Sequence, residues 1–206
     1  MESKEIWENF YKNTPLDKVP WQKTQADFLY QLVKENELGR GTALDLGCGT
    51  GIKAILLAKS GFKVTAIDIS ATAIKHAKAN AKKAGVDVEF LVEDATDLSF
   101  LGHEKFDLIL DWANLHGIEE DKREKYIKEV VKHIKSGGKL VLRCFSKYKM
   151  SPNELGFLTP MGIIYLFSEE NIKSLYGKYF KILRINRSRP HNHPYRYLDE
   201  YLMERI

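Results

Sequence analysis

The sequence predicts a doubly wound α/β fold: a seven-stranded sheet, mainly parallel, with one antiparallel strand at the C-terminal end. Three observations carry that prediction. From Thr42 onward short apolar runs at 42–46, 63–68, 87–92, 106–111 and 139–145 alternate with helical stripes at about 51–59, 70–84 and 120–134. Such alternation implies βαβ crossovers and parallel strand pairing. The first run ends in a glycine turn, Gly47-Cys48-Gly49-Thr50-Gly51, that feeds directly into a helix, which is the Rossmann-like arrangement that seats a nucleotide at the carboxyl ends of the strands. The final two strand-like runs, 179–187 and about 196–205, are separated only by the Pro190-to-Pro194 segment. That is too short for a parallel crossover, so the two should pair antiparallel.

The elements follow in order. Residues 2–13 and about 22–37 read as amphipathic helices joined by Thr14-Pro15-Leu16-Asp17-Lys18-Val19-Pro20. The helix at 70 starts cleanly because Ser70 can cap it. The helix near 120 is expected to stop at Gly137-Gly138. Residues 146–167 hold Pro152, Gly156, Pro160 and Gly162 among aromatics and read as a loop covering the sheet edge. Ser168 then caps a short helix. The chain is accordingly one domain (1–206), with a helical lid at 1–38, a nucleotide-binding core at 40–145, a substrate-side insert at 146–167 and a helix with the strand pair at 168–206.

Composition excludes several classes. Hydrophobic residues make up 44% and charged residues 29% of the 206, ordinary values for a globular protein large enough to bury a core. No run of eighteen apolar residues exists, so no membrane span is expected. The opening Met1-Glu2-Ser3-Lys4-Glu5 is too acidic and polar for a secretion signal. Cys48 and Cys144 fall in or beside buried strands and read as free thiols of a cytoplasmic protein. The net charge of +4 fits a solvated lysine-rich surface, with a nucleic-acid face as the alternative.

The glycine turn alone leaves the nucleotide open. Read as Gly49-x-Gly51-x-x-Ala54, with Asp68 at the right distance to bond a ribose, it nearly satisfies a dinucleotide fingerprint. An oxidoreductase or a non-catalytic nucleotide binder therefore stays in view. The carboxylates shift the balance. Asp45 precedes the glycines, Asp68 ends the second strand and Glu93-Asp94-Ala95 ends the third. An acid beside the glycines is awkward near phosphate and suited to a cationic amine; the other two suit ribose hydroxyls and an adenine edge.

Together, LDLGCGTG at 44–51, VTAIDIS at 64–70, VEDA at 92–95 and FDLILD at 106–111 resemble the class I S-adenosylmethionine-dependent methyltransferases over residues 40–145. The resemblance implies S-adenosylmethionine as cofactor. It implies that Gly47, Cys48, Gly49 and Gly51 border its methionine part and that Asp45 acts on its amino group. Asp68 would hold the ribose, Ile69 would pack on adenine, and Asp94 with Ala95 would read the adenine edge. Asp111 and Trp112 would lie near the sulfonium and the acceptor.

The acceptor is less marked. No acidic pair ends the fifth strand, where Arg143-Cys144-Phe145 stands, so no metal is expected. After the fourth strand Asp111-Trp112-Ala113-Asn114 replaces the Asp- or Asn-Pro-Pro-aromatic loop of base-amine methyltransferases. Trp7-x-x-x-Tyr11 followed by Val19-Pro20-Trp21-Gln22 is similar to the N-terminal segment of thiol, thiopurine, halide and tellurite methyltransferases, which implies a lid whose Tyr11 and Trp21 help form the acceptor pocket. Asp111 and His116 are the candidate catalytic residues, His116 as a substrate-side base. The expectation is a small-molecule acceptor, a thiol or related soft nucleophile. An RNA or protein methyltransferase is the alternative, motivated by the basic charge balance and by Arg184, Arg187 and Arg189 alternating on a strand. His191-x-His193 reads as a turn rather than a metal site, and the oligomeric state stays open.

Overall fold

The computed structural model describes residues 3–19, 21, 27–151, 153–189 and 196–206. Two N-terminal helices, α1 (Ser3–Asn13) and α2 (Asp27–Lys34), precede the alternating core. The core runs β1 (Thr42–Leu46), α3 (Ile52–Lys59), β2 (Lys63–Asp68), α4 (Ala71–Ala84), β3 (Glu89–Val92), β4 (Phe106–Trp112), α5 (Glu120–His133) and β5 (Ile134–Ser146). It is followed by β6 (Gly156–Thr159), β7 (Gly162–Tyr165), α6 (Glu169–Tyr176), β8 (Phe180–Ser188) and β9 (Tyr197–Arg205).

The main sheet has seven strands in the order β3-β2-β1-β4-β5-β9-β8. The β1–β2, β1–β4, β2–β3 and β4–β5 pairs are parallel. The last strand, β9, inserts between β5 and β8 and runs antiparallel to both. The sheet order reverses beside β1, where β2 lies on one flank and β4 on the other, so the crevice at their carboxyl ends is the place for a ligand. Side-chain alternation splits the core into two layers. Ala43, Ala66, Leu110 and Val141 pack under α2 and α3 with Phe28, Leu32 and Leu57. Leu44, Ile67, Ile109 and Leu142 pack on the other side with Tyr126, Ile127 and Ile172 of α5 and α6.

The local signals act as their chemistry requires. Ser70 caps α4, its Oγ accepting from the Ala73 amide at 3.1 Å. Ser168 and Asn171 form a reciprocal capping box at α6. Three expectations need correction. The helix before β5 ends at His133, not at Gly137-Gly138, and the chain turns straight into strand at Ile134. Phe106 pairs with Ile134 and Leu108 with Lys139, so the glycines occupy a bulge in β5. A Cβ on Gly138 would stand 2.8 Å from the Lys135 carbonyl oxygen, which is why glycine is needed there. Next, 146–167 is not all loop: β6 and β7 form an antiparallel hairpin with Phe157 opposite Ile164 and Leu158 opposite Ile163.

Finally, the strand arginines do not form one outward-facing basic row. Arg184 reaches Glu35 and Glu37, Arg187 pairs with Asp199, and Arg189 donates to the Tyr197 hydroxyl. Arg184 and Arg187 stand three residues apart in a regularly paired stretch of β8, so they face opposite sides of the sheet. Pro20, Gln22, His191 and His193 lie outside the described residues, as does most of the segment joining β8 to β9.

Candidate active site

The site begins at the glycine turn. Gly47, Gly49 and Gly51 have φ of 66°, 56° and 80°, a region open to glycine and costly for other residues. Their surroundings differ. A Cβ on Gly47 would come 2.7 Å from Asn114 Oδ1, and one on Gly49 would come 2.8 Å from the Tyr11 hydroxyl. One on Gly51 would come 2.9 Å from the Phe90 ring and 3.0 Å from Ala77. Gly47 and Gly49 therefore line the crevice. Gly51, expected beside the cofactor, instead lets α3 seat against α4 and β3.

The carboxylates sit where the strand ends bring them. Asp45 is 1% exposed and its Oδ2 has no hydrogen-bond partner. Burial pushes its pKa up to about 7, against the pull of the nearby Lys53 ammonium. A buried carboxylate oxygen without a donor is costly, so this atom marks a place for a donor-bearing cation. Lys53, also buried, has its pKa lowered to about 8 by desolvation and by Arg143.

Asp68 bridges two elements. Its Oδ2 accepts from the Gly49 amide at 2.8 Å, and its Oδ1 accepts from the Ser70 amide at 2.9 Å. Burial raises it to about 6. Each carboxylate oxygen keeps further lone-pair capacity for hydroxyl donors. Ile69 beside it is half-buried. At the third strand end, Asp94 is exposed and accepts from the Thr96 amide and hydroxyl, both at 2.8 Å, while Ala95 is buried. Cys48 is buried beside Asp45 and Asp68, which push its thiol up together with desolvation, so no thiolate nucleophile arises there.

The N-terminal helix closes over the turn. Trp21 Nε1 donates to the Tyr11 hydroxyl at 3.2 Å, and Trp7, Phe10, Tyr11 and Trp21 form one ring cluster with centroids 5.1 to 6.3 Å apart. Glu8 pins this helix to the core. Its carboxylate accepts from Ser70 Oγ at 2.7 Å, the Thr72 amide at 3.0 Å and Thr72 Oγ1 at 2.8 Å. Despite the opposing desolvation, those donors hold Glu8 down to about 2. No sequence signal singled out Glu8; its partners lie 62 and 64 residues away.

Beyond β4 the arrangement departs from expectation. Asp111 is 1% exposed and faces α5. Its Oδ1 accepts from the Asn114 and Leu115 amides at 2.8 and 3.1 Å, and its Oδ2 from the Tyr126 hydroxyl at 2.7 Å. It thus holds the turn after β4 rather than standing open to the crevice. That turn includes Ala113 at φ 77°, a strained conformation for alanine that the surrounding bonds must enforce. It carries Asn114 to Gly47 and His116 to within 4.9 Å of the Phe145 ring. His116 is 7% exposed with its Nδ1 unpartnered, and burial with the Arg143 charge lowers it to about 3. Arg143, which no motif pointed to, lies over the Trp112 ring at 4.8 Å. Among the described residues no cluster could hold a metal ion, and no helix is long and apolar enough to cross a membrane.

S-adenosylmethionine fits these residues: the lone Asp45 oxygen suits its ammonium, and Asp68 on the Gly49 amide suits its ribose diol. Comparison with known proteins agrees. Residues 43–138 match the methyltransferase domain family. Over that stretch the chain is similar to the class I S-adenosylmethionine-dependent methyltransferases, and its sheet order is that of a methyltransferase fold. A 2-heptyl-1-hydroxyquinolin-4(1H)-one methyltransferase of Mycobacteroides abscessus is 28% identical, with 82% of this chain and 72% of that protein aligned. A protein named probable thiol methyltransferase 2 in Arabidopsis thaliana is 31% identical, over 62% of this chain and 57% of its own length. The solved structure of a SAM-dependent methyltransferase from Methanosarcina mazei superposes with a TM-score of 0.69 at 27% identity, covering 80% of this chain and 92% of that one. The chain spans about half the length of the curated relatives it matches, for example 55%, 41% and 38% of three of them.

Proposed function

We propose that this protein transfers the methyl group of S-adenosylmethionine to a small-molecule acceptor, a thiol or related soft nucleophile. One observation carries the reading: Asp45 Oδ2, buried and unpartnered, stands at the head of a glycine turn whose amide is already gripped by Asp68. Asp45 would take the methionyl ammonium, Asp68 the ribose hydroxyls, and Asp94 with Ala95 the adenine edge beside Ile69. Gly47 and Gly49 would let the ligand approach bare backbone, with Cys48 between them.

The bound sulfonium supplies an electrophilic methyl carbon open to in-line displacement. The protein's part is alignment, which is worth effective molarities of about 10⁵–10⁸ M in well-oriented systems. Tyr11 and Trp21 close over Gly49 and exclude water. Trp112 and His116 border the acceptor side, while Asp111 fixes the turn that presents them. An acceptor of modest size is supported by the enclosure: Trp112, His116 and Arg143 are each less than a tenth exposed. The soft-nucleophile preference is supported by the Trp7–Tyr11–Trp21 lid and by the Arabidopsis relative. The strand arginines that spoke for an RNA acceptor, Arg184, Arg187 and Arg189, are each engaged within the chain, which supports the small-molecule reading over it.

Calorimetry with S-adenosylhomocysteine against NAD tests the cofactor, and the reading ends if the former does not bind. Methyl release over thiols, phenols, carboxylates, amines and RNA tests the acceptor. Turnover with thiols above the others is expected, and exclusive turnover with RNA would replace the reading.

A further inference from the structure

Arg143 is the largest polar group in the acceptor region without an assigned task. It projects from β5 beside Trp112, its partner in the parallel β4–β5 register. Its guanidinium carbon lies 4.8 Å from the Trp112 ring centroid, and the residue is 6% exposed. Phe145, two residues on, shares its face of β5. Phe145 in turn meets His116 at 4.9 Å and Phe157 of the β6–β7 hairpin at 5.3 Å. A buried cation thus adjoins a set of flat rings.

The charge on Arg143 is incompletely satisfied. Its ion-pair partner is Glu200, with Nε to Oε1 at 3.4 Å, too long for a good hydrogen bond, and Asp27 acts on it from beyond contact distance. Nε itself has no hydrogen-bond partner. Glu200 is drawn the other way by Asn186, whose Nδ2 donates to Oε2 at 2.6 Å, and burial raises the Glu200 pKa. Two neighbouring groups are also unpartnered and buried: Trp112 Nε1 and His116 Nδ1. An arginine over an aromatic ring suits a planar anion, which it can meet both by charge and by stacking.

We propose, building on the methyltransferase reading, that the acceptor is a ring-bearing small molecule held as its anion by Arg143 over Trp112, with Phe145 and Phe157 against its ring. The anion is an aryl thiolate or ring oxyanion whose proton passes to solvent on binding. No protein base has to remove that proton. His116 then acts as a neutral polar neighbour, in keeping with its depressed pKa of about 3.

The test uses 4-nitrophenol, whose absorbance distinguishes the neutral and ionised forms, added to the protein saturated with S-adenosylhomocysteine. Calorimetry first establishes that S-adenosylhomocysteine binds. Failure at that step refutes the methyltransferase reading, whereas success followed by failure below refutes only the role of Arg143. At a pH below the phenol's solution pKa, the bound ligand should absorb as the anion, its pKa lowered by about 1–3, the scale of one adjacent opposite charge. Arg143→Gln should abolish that shift while leaving the S-adenosylhomocysteine affinity within about threefold, and Arg143→Lys should restore part of the shift. His116→Gln should leave the shift in place. A ligand bound in its neutral form, one that does not bind, or an anionic signal equally strong in Arg143→Gln would overturn the proposal. So would loss of the signal in His116→Gln alone.

Discussion

The two ends of the crevice are built on different principles. At the β1–β3 end, backbone does most of the work: the positive-φ glycines Gly47 and Gly49, the Gly49 amide held by Asp68, and one bare carboxylate oxygen at Asp45. At the β4–β5 end, side chains do it: Trp112, His116, Arg143 and Phe145, roofed by Phe157 from an inserted hairpin. A backbone cradle admits few alternatives at each position, since φ and amide direction are fixed. A side-chain pocket can be re-lined while the fold stays intact. On the proposed function, the first end would hold a constant donor and the second could serve a varied acceptor.

The comparison breaks most sharply at the glycines. Gly51→Val places a β-branched residue at φ 80° with its Cβ near 3 Å from Phe90 and Ala77. Backbone strain of about 1–3 kcal/mol and overpacking of about 1–3 kcal/mol add to a loss of about 2–6 kcal/mol in unfolding free energy, read by urea titration. Gly49→Ala takes on backbone strain at φ 56° as well, but its Cβ closes on the lid, 2.8 Å from the Tyr11 hydroxyl and 3.8 Å from Trp21 Nε1, rather than on core rings. It should cost less stability and mainly weaken S-adenosylhomocysteine binding. Equal destabilisation by the two would show that the lid and the core are one rigid unit. Asp68→Ala comes next: loss of charge-assisted hydrogen bonds should weaken S-adenosylhomocysteine by about 1.5–3 kcal/mol in calorimetry, and unchanged affinity would remove its ribose role.

The next effect is expected with pH, at about tenfold in affinity per pH unit. Burial pushes Asp45 from its ordinary 3.8 up to about 7 in the fold, with Asp68 and Asp111 adding to the rise and Lys53 opposing it. The ligand-free fold holds an extra proton between those values, so this group's contribution to stability falls as pH rises from about 4 to 7. An ammonium at Oδ2 favours the ionised form. S-adenosylhomocysteine affinity should therefore rise about tenfold per pH unit below 7 and level off above it. Asp45→Asn should bind more weakly and flatten this rise; a profile as steep as the parent's would detach the ammonium from Asp45.

The cradle was legible in the sequence because its constraints are local. LDLGCGTG places an acid, a turn and a helix start within eight residues, and Asp68 and Asp94 mark strand ends that periodicity reveals. The sheet was legible for the same reason, down to the antiparallel partner of β8. The acceptor side was harder to read because its contacts are long-range. Arg143 gains meaning only when β4 and β5 pair it with Trp112, and Phe157 only when a hairpin folds back over Phe145. Asp111 shows the converse. A strand-end acid reads as catalytic, but the local turn amides and Tyr126, fifteen residues on, take up both its oxygens. The glycine pair 137–138 was misread because a helix stop and a strand bulge demand the same residue.

The lid is where the two ends meet, and Glu8 is the place to separate them. Its carboxylate ties α1 to Ser70, and Ser70 donates its amide to Asp68, which grips Gly49. Closure of the lid and shape of the cradle thus share one chain of hydrogen bonds. Glu8→Gln keeps the side chain's size and one acceptor oxygen but removes the charge at the start of α4. Its cost should be about 0.5–1 kcal/mol, the scale of a carboxylate at a helix N-terminus. Glu8→Ala, which removes every bond, should cost about 1–2 kcal/mol, the scale of a lost cap. Because the folded pKa is lowered from 4.5 to about 2, Glu8 stabilises the parent above pH 4.5, and that contribution fades as pH falls towards 2. The difference between parent and Glu8→Ala in thermal unfolding should shrink accordingly. If the lid serves both ends, Glu8→Ala should raise the acceptor KM and the S-adenosylhomocysteine Kd by similar factors. A change confined to Kd would assign the lid to the cradle alone.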